Sequence, residues 1–403
     1  MSFLFNKPEQ ELALILDIGS GSVAASLVLF SKNEMPRIFY ISRMPISIDD
    51  KPDSKKLLSY MTKFLDEAMK NVKNEGIPYL NSLGIKNKHI ENVFCVFSSP
   101  WCISKTSTFK EEKNESIFVS KKYIDDVLTN ETNKFETSIS KEPHDTIPGE
   151  VTLIEKNIIQ TKLNGYKTSD PYSKEAKSIE MSIFMSLVSW QVLDKVEETV
   201  NKFFHVPKIV FHSFTLSSFS VVSDIFLEDS NFLLMDITGE VTDVSLIKNG
   251  VIVGSTSFSL GRNFLLRKLA SDLNTLPEIA TSYLMMYNEK NLEPQLSSDV
   301  DGALKKARQE WILHLKQSIN KLSSNTFLPL RLYVTLDEDI ERFLGEAISE
   351  EKIRIEDSEE INLDTILLSG NKFGHFVNWD TGVHPDPFLA INAIFFNKLF
   401  HVN

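Results

Sequence analysis

One pattern occurs twice, about half a chain apart: a hydrophobic strand that ends in an acid, a Gly-containing turn, and an alternating return strand. The first copy runs from Leu14 through Asp17, Gly19, Ser20 and Gly21 to Val23 and on to Phe30. The second runs from Phe232 through Asp236, Thr238, Gly239, Glu240, Thr242 and Asp243 to an Asn249-Gly250 hairpin signal. Apolar runs bounded by Gly and Ser read as buried hairpins. Gly19 and Gly21 permit a turn whose backbone N–H groups converge on one anion. A carboxylate at the strand end, such as Asp17, can hold a hydrated Mg²⁺ beside it. Two such units predict two related lobes facing one phosphate chain. A third element, Thr365 to Asn371, reads as a strand ending in the small-residue turn Ser369-Gly370.

Taken in order, these three stretches resemble the two phosphate loops and the adenosine loop of the actin-like ATPase superfamily. The resemblance implies an α/β, actin-like (ribonuclease H-like) two-lobe fold. Residue by residue it places Asp17, Gly19, Ser20 and Gly21 in the first loop, Asp236, Gly239, Thr242 and Asp243 in the second, and Gly370 in the adenosine loop. Asp17 and Asp236 would be the catalytic and metal-holding acids. The glycines, Ser20, Thr242 and Asp243 would contact ATP. Such chemistry is positioning and electrostatics rather than covalent catalysis.

Residues from Trp101 to Met181 differ in texture, rich in Lys, Glu, Ser and Thr. They read as a strand near Ile117–Val119, a Ser120-capped helix carrying Tyr123, Ile124, Val127 and Leu128 on one face, a hairpin through Asn164-Gly165, and a long strand from Ala176. This block resembles the extra (SHS2-type) subdomain of the FtsA/PilM branch, which serves cell division and type IV pili. The expected division is residues 1–100 for the first lobe, 101–181 for a small α+β insertion, 182–227 for the return to the first lobe, 228–386 for the second lobe, and 387–403 for a helix packing back on the first. The resemblance implies a cytosolic protein docking an inner-membrane protein's cytoplasmic segment, with self-association an option. The alternative is a working ATPase or kinase of chaperone or sugar-kinase type.

Several positions depart from the family pattern. Thr238 and Glu240 stand in a glycine run, and Ala24 stands where Lys is common. Arg262 follows Gly261 in place of a second Gly, and the ribose helix reads Ala280-Thr281. Asn371 follows Gly370. A β-branched residue disfavours the backbone freedom that Gly supplies, and Glu240 threatens to face a triphosphate with a like charge. These losses imply weak ATP and Mg²⁺ binding and slow or absent hydrolysis.

Composition narrows the classes further. The 403 residues suffice for two or three domains. The formal net charge of −12 argues against nucleic-acid binding. With only two cysteines and no CxxC spacing, the sequence offers no zinc site and suits a reducing compartment. No apolar run reaches the ~20 residues of a bilayer span, and Phe3, Leu4 and Phe5 offer no more than a short interfacial foot. The acidic run at Glu350, Glu351, Glu356, Asp357, Glu359 and Glu360 reads as a solvated edge.

Overall fold

The computed structural model describes residues 10–49, 53–85, 89–141, 149–323, 328–354 and 360–402. The N-terminal foot and Glu356, Asp357 and Glu359 of the acidic run lie outside the described residues.

The chain opens with β1 (Gln10–Ile18), β2 (Ser22–Ser31) and β3 (Arg37–Pro45), then α1 (Ser54–Asn71), α2 (Ile77–Ser82) and β4 (Asn92–Phe97). Asp53 starts α1 by accepting the backbone N–H groups of Lys55 and Lys56 at 2.8 and 3.1 Å. Its helical spacing then buries Leu57, Met61, Leu65, Ala68 and Met69. Next come β5 (Cys102–Val119), α3 (Lys121–Lys141), β6 (Val151–Leu163), β7 (Tyr166–Thr168) and β8 (Lys174–Ser189). The chain returns through α4 (Trp190–Phe203), β9 (Ile209–Ser213) and α5 (Phe214–Ile225).

The second half holds β10 (Phe232–Ile237), β11 (Thr242–Lys248), β12 (Val251–Phe258), α6 (Arg262–Asp272), α7 (Pro277–Asn288), α8 (Pro294–Ser323), β13 (Arg331–Leu336) and α9 (Glu338–Glu350). After β14 (Lys352–Arg354), β15 (Glu360–Asn362), β16 (Asp364–Leu367) and β17 (Asn378–Trp379), the chain ends in α10 (Pro387–Val402).

Two sheets carry the repeated pattern. The first has the order β17-β3-β2-β1-β4-β9, the second β12-β11-β10-β13-β16. In each, the acid-ending strand pairs antiparallel with its hairpin partner and parallel with the strand on its other side. Strand periodicity divides the side chains of β1 between two cores. Leu12, Leu14, Leu16 and Ile18 pack with α1 and α4, while Ala13 and Ile15 face α5 and α10. Phe232 and Leu234 of β10 join that second core, so one apolar layer spans both halves. Phe94 and Phe396 stack there with ring centroids 4.1 Å apart.

The block of altered texture forms its own sheet, β5-β8-β6-β7. Phe135 and Ile124 of α3 are buried with Ile179, Met181 and Ile183. Phe109 is half-buried against that core, whereas Phe118 is 56% exposed. The sheet runs on through β8 to Ser189, past the Met181 limit that composition suggests, because strand periodicity continues after the polar texture stops. A buried carboxylate joins this sheet to the first lobe. Glu155 of β6 accepts from Ser186 Oγ at 2.6 Å, from the Ser213 backbone N–H at 3.1 Å and from Ser213 Oγ. His212 Nδ1 lies 2.9 Å from its other oxygen.

Candidate functional site

The ends of β1 and β10 meet at the bottom of the cleft between the lobes. Asp17 and Asp236 are both buried there, and the turns that follow them touch. A Cβ added to Gly239 would lie 2.3 Å from the Gly21 nitrogen and 2.4 Å from its Cα. Only hydrogen at that position allows such an approach. Ser20 Oγ lies 3.1 Å from Thr238 Oγ1 and accepts the Glu240 backbone N–H at 2.9 Å. The Thr238 N–H is taken by the Val241 carbonyl. The backbone donors of Gly19, Thr238 and Glu240 are thus spent on the opposite loop or their own turn.

Glu240 turns away from the cleft. Its carboxylate accepts from both Arg267 terminal nitrogens, at 3.0 and 2.7 Å, and from Asn263 at 2.8 Å. The fork geometry explains how an acid tolerates burial at this position. Arg262 is likewise occupied, bonding Asp339 of α9.

Sequence reasoning misses the residue that fills the centre of the site. Arg43 of β3 stands on the same rung as Ala24 of β2 and Asp17 of β1. Because Ala24 is small, the long arginine side chain can lie across it. The Arg43 Nη2 donates to Asp17 at 3.0 Å and to Asp386 at 3.0 Å, Nε donates to Asp386 at 2.6 Å, and Nη1 donates to Ser22 Oγ at 2.7 Å. Burial opposes the guanidinium charge, but Asp386 and Asp17 outweigh it and hold it protonated. Asp386 also caps α10 through the Leu389 N–H at 3.0 Å. Asp337, at the end of β13, completes the ring of acids. Its carboxyl is pushed up by burial, against the pull of Arg262.

Among the residues expected here, Asp17, Gly19, Gly21 and Gly239 line one small cavity with Ser22, Arg43, Ser98, Thr238 and Asp337. Ser20 lies beneath it. Asp243 sits directly across β11 from Asp236. Burial, then the Asp243 charge, then Asp17, push the Asp236 carboxyl well up. Thr242 is not in the cleft: its hydroxyl donates to the Leu260 carbonyl at 2.7 Å and lies 3.3 Å from Trp311 Nε1. Gly370 follows the edge strand β16 and packs on Pro385 and Asp386, while the strand next to β10 ends in Asp337 instead. Ala280 and Leu284 belong to the second-lobe core. From the ribose helix, α7, it is Met285 and Asn288 that line an outer cleft of about 660 Å³ with Arg262 and Asp337.

Does a hydrated Mg²⁺ with a phosphate chain fit? Asp17 Oδ1 and Asp236 Oδ1 are buried acceptors without partners, which would suit a cation. Yet the cavity beside Asp17 measures about 20 Å³, room for about one water molecule. Mg²⁺ keeps several waters in an octahedral shell. No group of three or more potential ligand side chains is gathered among the described residues. A hydrated Mg²⁺ does not fit beside these acids as arranged, and the outer cleft of about 660 Å³ opens on Gly21, Ser22, Arg43 and Asp337.

The strained charge at Asp17 has a measurable consequence. Burial pushes its carboxyl from 3.8 to about 6, against the pull of Arg43 and with help from Asp386 and Asp337. A folded-state value above the unfolded one means that the native state binds this proton more tightly. Stability is therefore favoured below about pH 4 and falls as pH rises through 6, by roughly 3 kcal/mol in all. Asp17→Asn removes that penalty while leaving Arg43 paired with Asp386. It is expected to stabilise the protein by about 2 to 3 kcal/mol at pH 8 and by nothing near pH 4 in urea titrations. A loss of stability at pH 8 would show that the Asp17–Arg43 pair outweighs the burial cost.

No family sequence profile matches this chain, and no curated protein sequence does. Solved structures do. A chain from a structure titled PilM-PilN type IV pilus biogenesis complex aligns over 98% of this chain and 100% of its own, with a TM-score of 0.60 and 14% identity. A Bacteroides thetaiotaomicron protein described as having an actin-like ATPase fold and unknown function aligns over 98% and 99%, with a TM-score of 0.44 and 11% identity. MreB 5 of Spiroplasma citri bound to AMPPNP aligns over 98% and 97%, with a TM-score of 0.37 and 11% identity. The chain has the actin-like fold. Identities this low speak for the fold alone.

Proposed function

We propose that the protein is an actin-like assembly factor of the PilM/FtsA kind, docking the cytoplasmic segment of a membrane protein, with a nucleotide site that is vestigial. The observation that carries this reading is the closed cleft. Arg43 and the touching Gly21 and Gly239 occupy the space where catalysis by this fold would take place. What remains for such a chain is surface recognition. The whole-length match to a chain from a complex titled PilM-PilN supports the docking role. Among the described residues no helix is long and apolar enough to cross a membrane, so a membrane role would run through a partner.

The inserted sheet is the proposed dock. β5 is its edge strand, and an edge can accept an added strand, with main-chain hydrogen bonds for affinity and alternate side chains for specificity. Lys105, Thr108 and Lys110 are exposed along it, and Phe118, 56% exposed, offers an apolar anchor near its end. Photo-crosslinkers at Lys105, Thr108 and Phe118 are expected to capture a membrane protein in cells, with the same yield after nucleotide depletion. Crosslinkers on the exposed face of α8, such as Leu313, serve as the comparison. Capture from α8 but not from β5 would place the dock elsewhere. Robust ATP turnover abolished by Asp17→Ala would restore the enzyme reading.

A further inference from the structure

Three strands and the last helix converge on one guanidinium. Asp17, Ala24 and Arg43 share a rung across β1, β2 and β3, and Asp386 reaches in from the start of α10. Arg43 presents Nε, Nη1 and Nη2, and each already has an acceptor. Its face lies 5.4 Å from the Phe388 ring centroid. An arginine held ready for an incoming phosphate would keep part of its fork free. In this one, four of the five N–H groups are taken from within the chain.

We propose that Arg43 is a built-in ligand of the cleft, its guanidinium standing in for the divalent cation of a nucleotide-binding actin-like site and tying the first loop to the start of α10 without nucleotide. The acids bonded to it are Asp17 from β1 and Asp386 from the α10 cap, Ser22 supplies the remaining acceptor, and Asp337 of the second lobe adds its charge without a direct bond. Removing the guanidinium leaves two carboxylates, Asp17 and Asp386, and the Ser22 hydroxyl around its place, hard oxygen donors of the type that Mg²⁺ and Mn²⁺ select when water completes the shell. A second cation placed beside intact Arg43 would meet a like charge and too little space. The role is the same whether or not a membrane protein docks on the inserted sheet.

The test compares the whole wild-type chain with Arg43→Ser and Arg43→Lys, by thermal unfolding with Mn²⁺, Mg²⁺ or Mg²⁺–ATP present at millimolar levels and by hydrogen exchange at Gly19 and Leu389, whose amides bond Ser22 and Asp386. Wild type is expected to show no shift with any of the three. Arg43→Ser is expected to lose protection at those amides by about tenfold or more and to recover thermal stability with Mn²⁺. Arg43→Lys, which keeps the charge, should stay indifferent to Mn²⁺. A folded Arg43→Ser variant that retains wild-type protection, or that Mn²⁺ fails to restore, overturns the proposal. Wild-type stabilisation by Mg²⁺–ATP that Arg43→Ser abolishes also overturns it, because Arg43 would then be a phosphate ligand. Where Arg43→Ser does not fold, wild type and Arg43→Lys decide: a metal-ion or nucleotide shift in either counts against the built-in cation, and indifference in both supports it.

Discussion

Gly239→Ala is expected to destabilise the protein by about 3 kcal/mol or more, among the largest effects of any single methyl group in the chain. The added Cβ would sit 2.3 Å from the Gly21 nitrogen and 2.6 Å from the Ser20 carbonyl carbon, both backbone atoms that no side-chain rotation can move. Gly239 does not have a positive φ, so the penalty is one of contact rather than of backbone conformation. To admit the methyl group the loops must part, and the Ser20–Thr238 contact and the Glu240 N–H bond to Ser20 Oγ go with them. Gly261 ties the same turn to the second lobe, through Arg262 and Asn263 N–H groups bonded to the Thr238 and Gly239 carbonyls, so loop 2 cannot retreat freely. Urea unfolding of the variant measures the effect. A near-neutral Gly239→Ala would mean that the cleft in solution is open.

The paired strands were legible in the sequence because burial on both faces demands long apolar runs, and β1 and β10 have them. The hairpin at Asn249-Gly250 was legible because both residues adopt positive φ, 53° and 73°. Losses of individual loop residues were legible too, but not what replaced them. Arg43 reaches Asp17 only through the register of β2 with β3, which shifts at a bulge between Leu27 and Val28, and spacing along the chain does not reveal a bulge. Its second partner, Asp386, lies near the other end of the sequence. Gly370 shows the opposite error. A strand ending in a small-residue turn looks the same whether it is central or at an edge. Only the order β10-β13-β16 shows that Asp337, not Gly370, borders the cleft. Parallel strand order is set by crossover packing, which the residues of one strand do not encode.

Glu155→Ala is expected to cost about 3 to 5 kcal/mol, since it strips a buried carboxylate from the Ser213 N–H, the Ser186 and Ser213 hydroxyls and the His212 ring. Glu155 is 6% exposed. Its oxygens gather Ser186 from β8, Ser213 from β9 and the His212 ring, and Ser186 passes the contact on to Ser104 of β5 at 2.9 Å. His212 in turn meets Phe395 and Phe396 of α10 edge-on, with centroids 5.1 and 5.4 Å away. One carboxylate thus fixes the inserted sheet against the first-lobe sheet and, through the imidazole, against the last helix. Alanine leaves the buried Ser213 N–H without its acceptor and the His212 ring without its carboxylate. Glu155→Gln keeps one oxygen for Ser213 and Ser186 but turns an NH₂ toward His212, so its cost should be about half. The loss should also be uneven. The inserted sheet has its own core around Ile124, Phe135 and Ile183, and the lobes have theirs, so loosening the joint should split unfolding into two transitions rather than lower one. Hydrogen exchange at Val210 and Ser213 should rise while Ile183 stays protected. A single cooperative transition at wild-type stability would mean that apolar packing alone seats the insert. The dock proposed on β5 would then be positioned without this network.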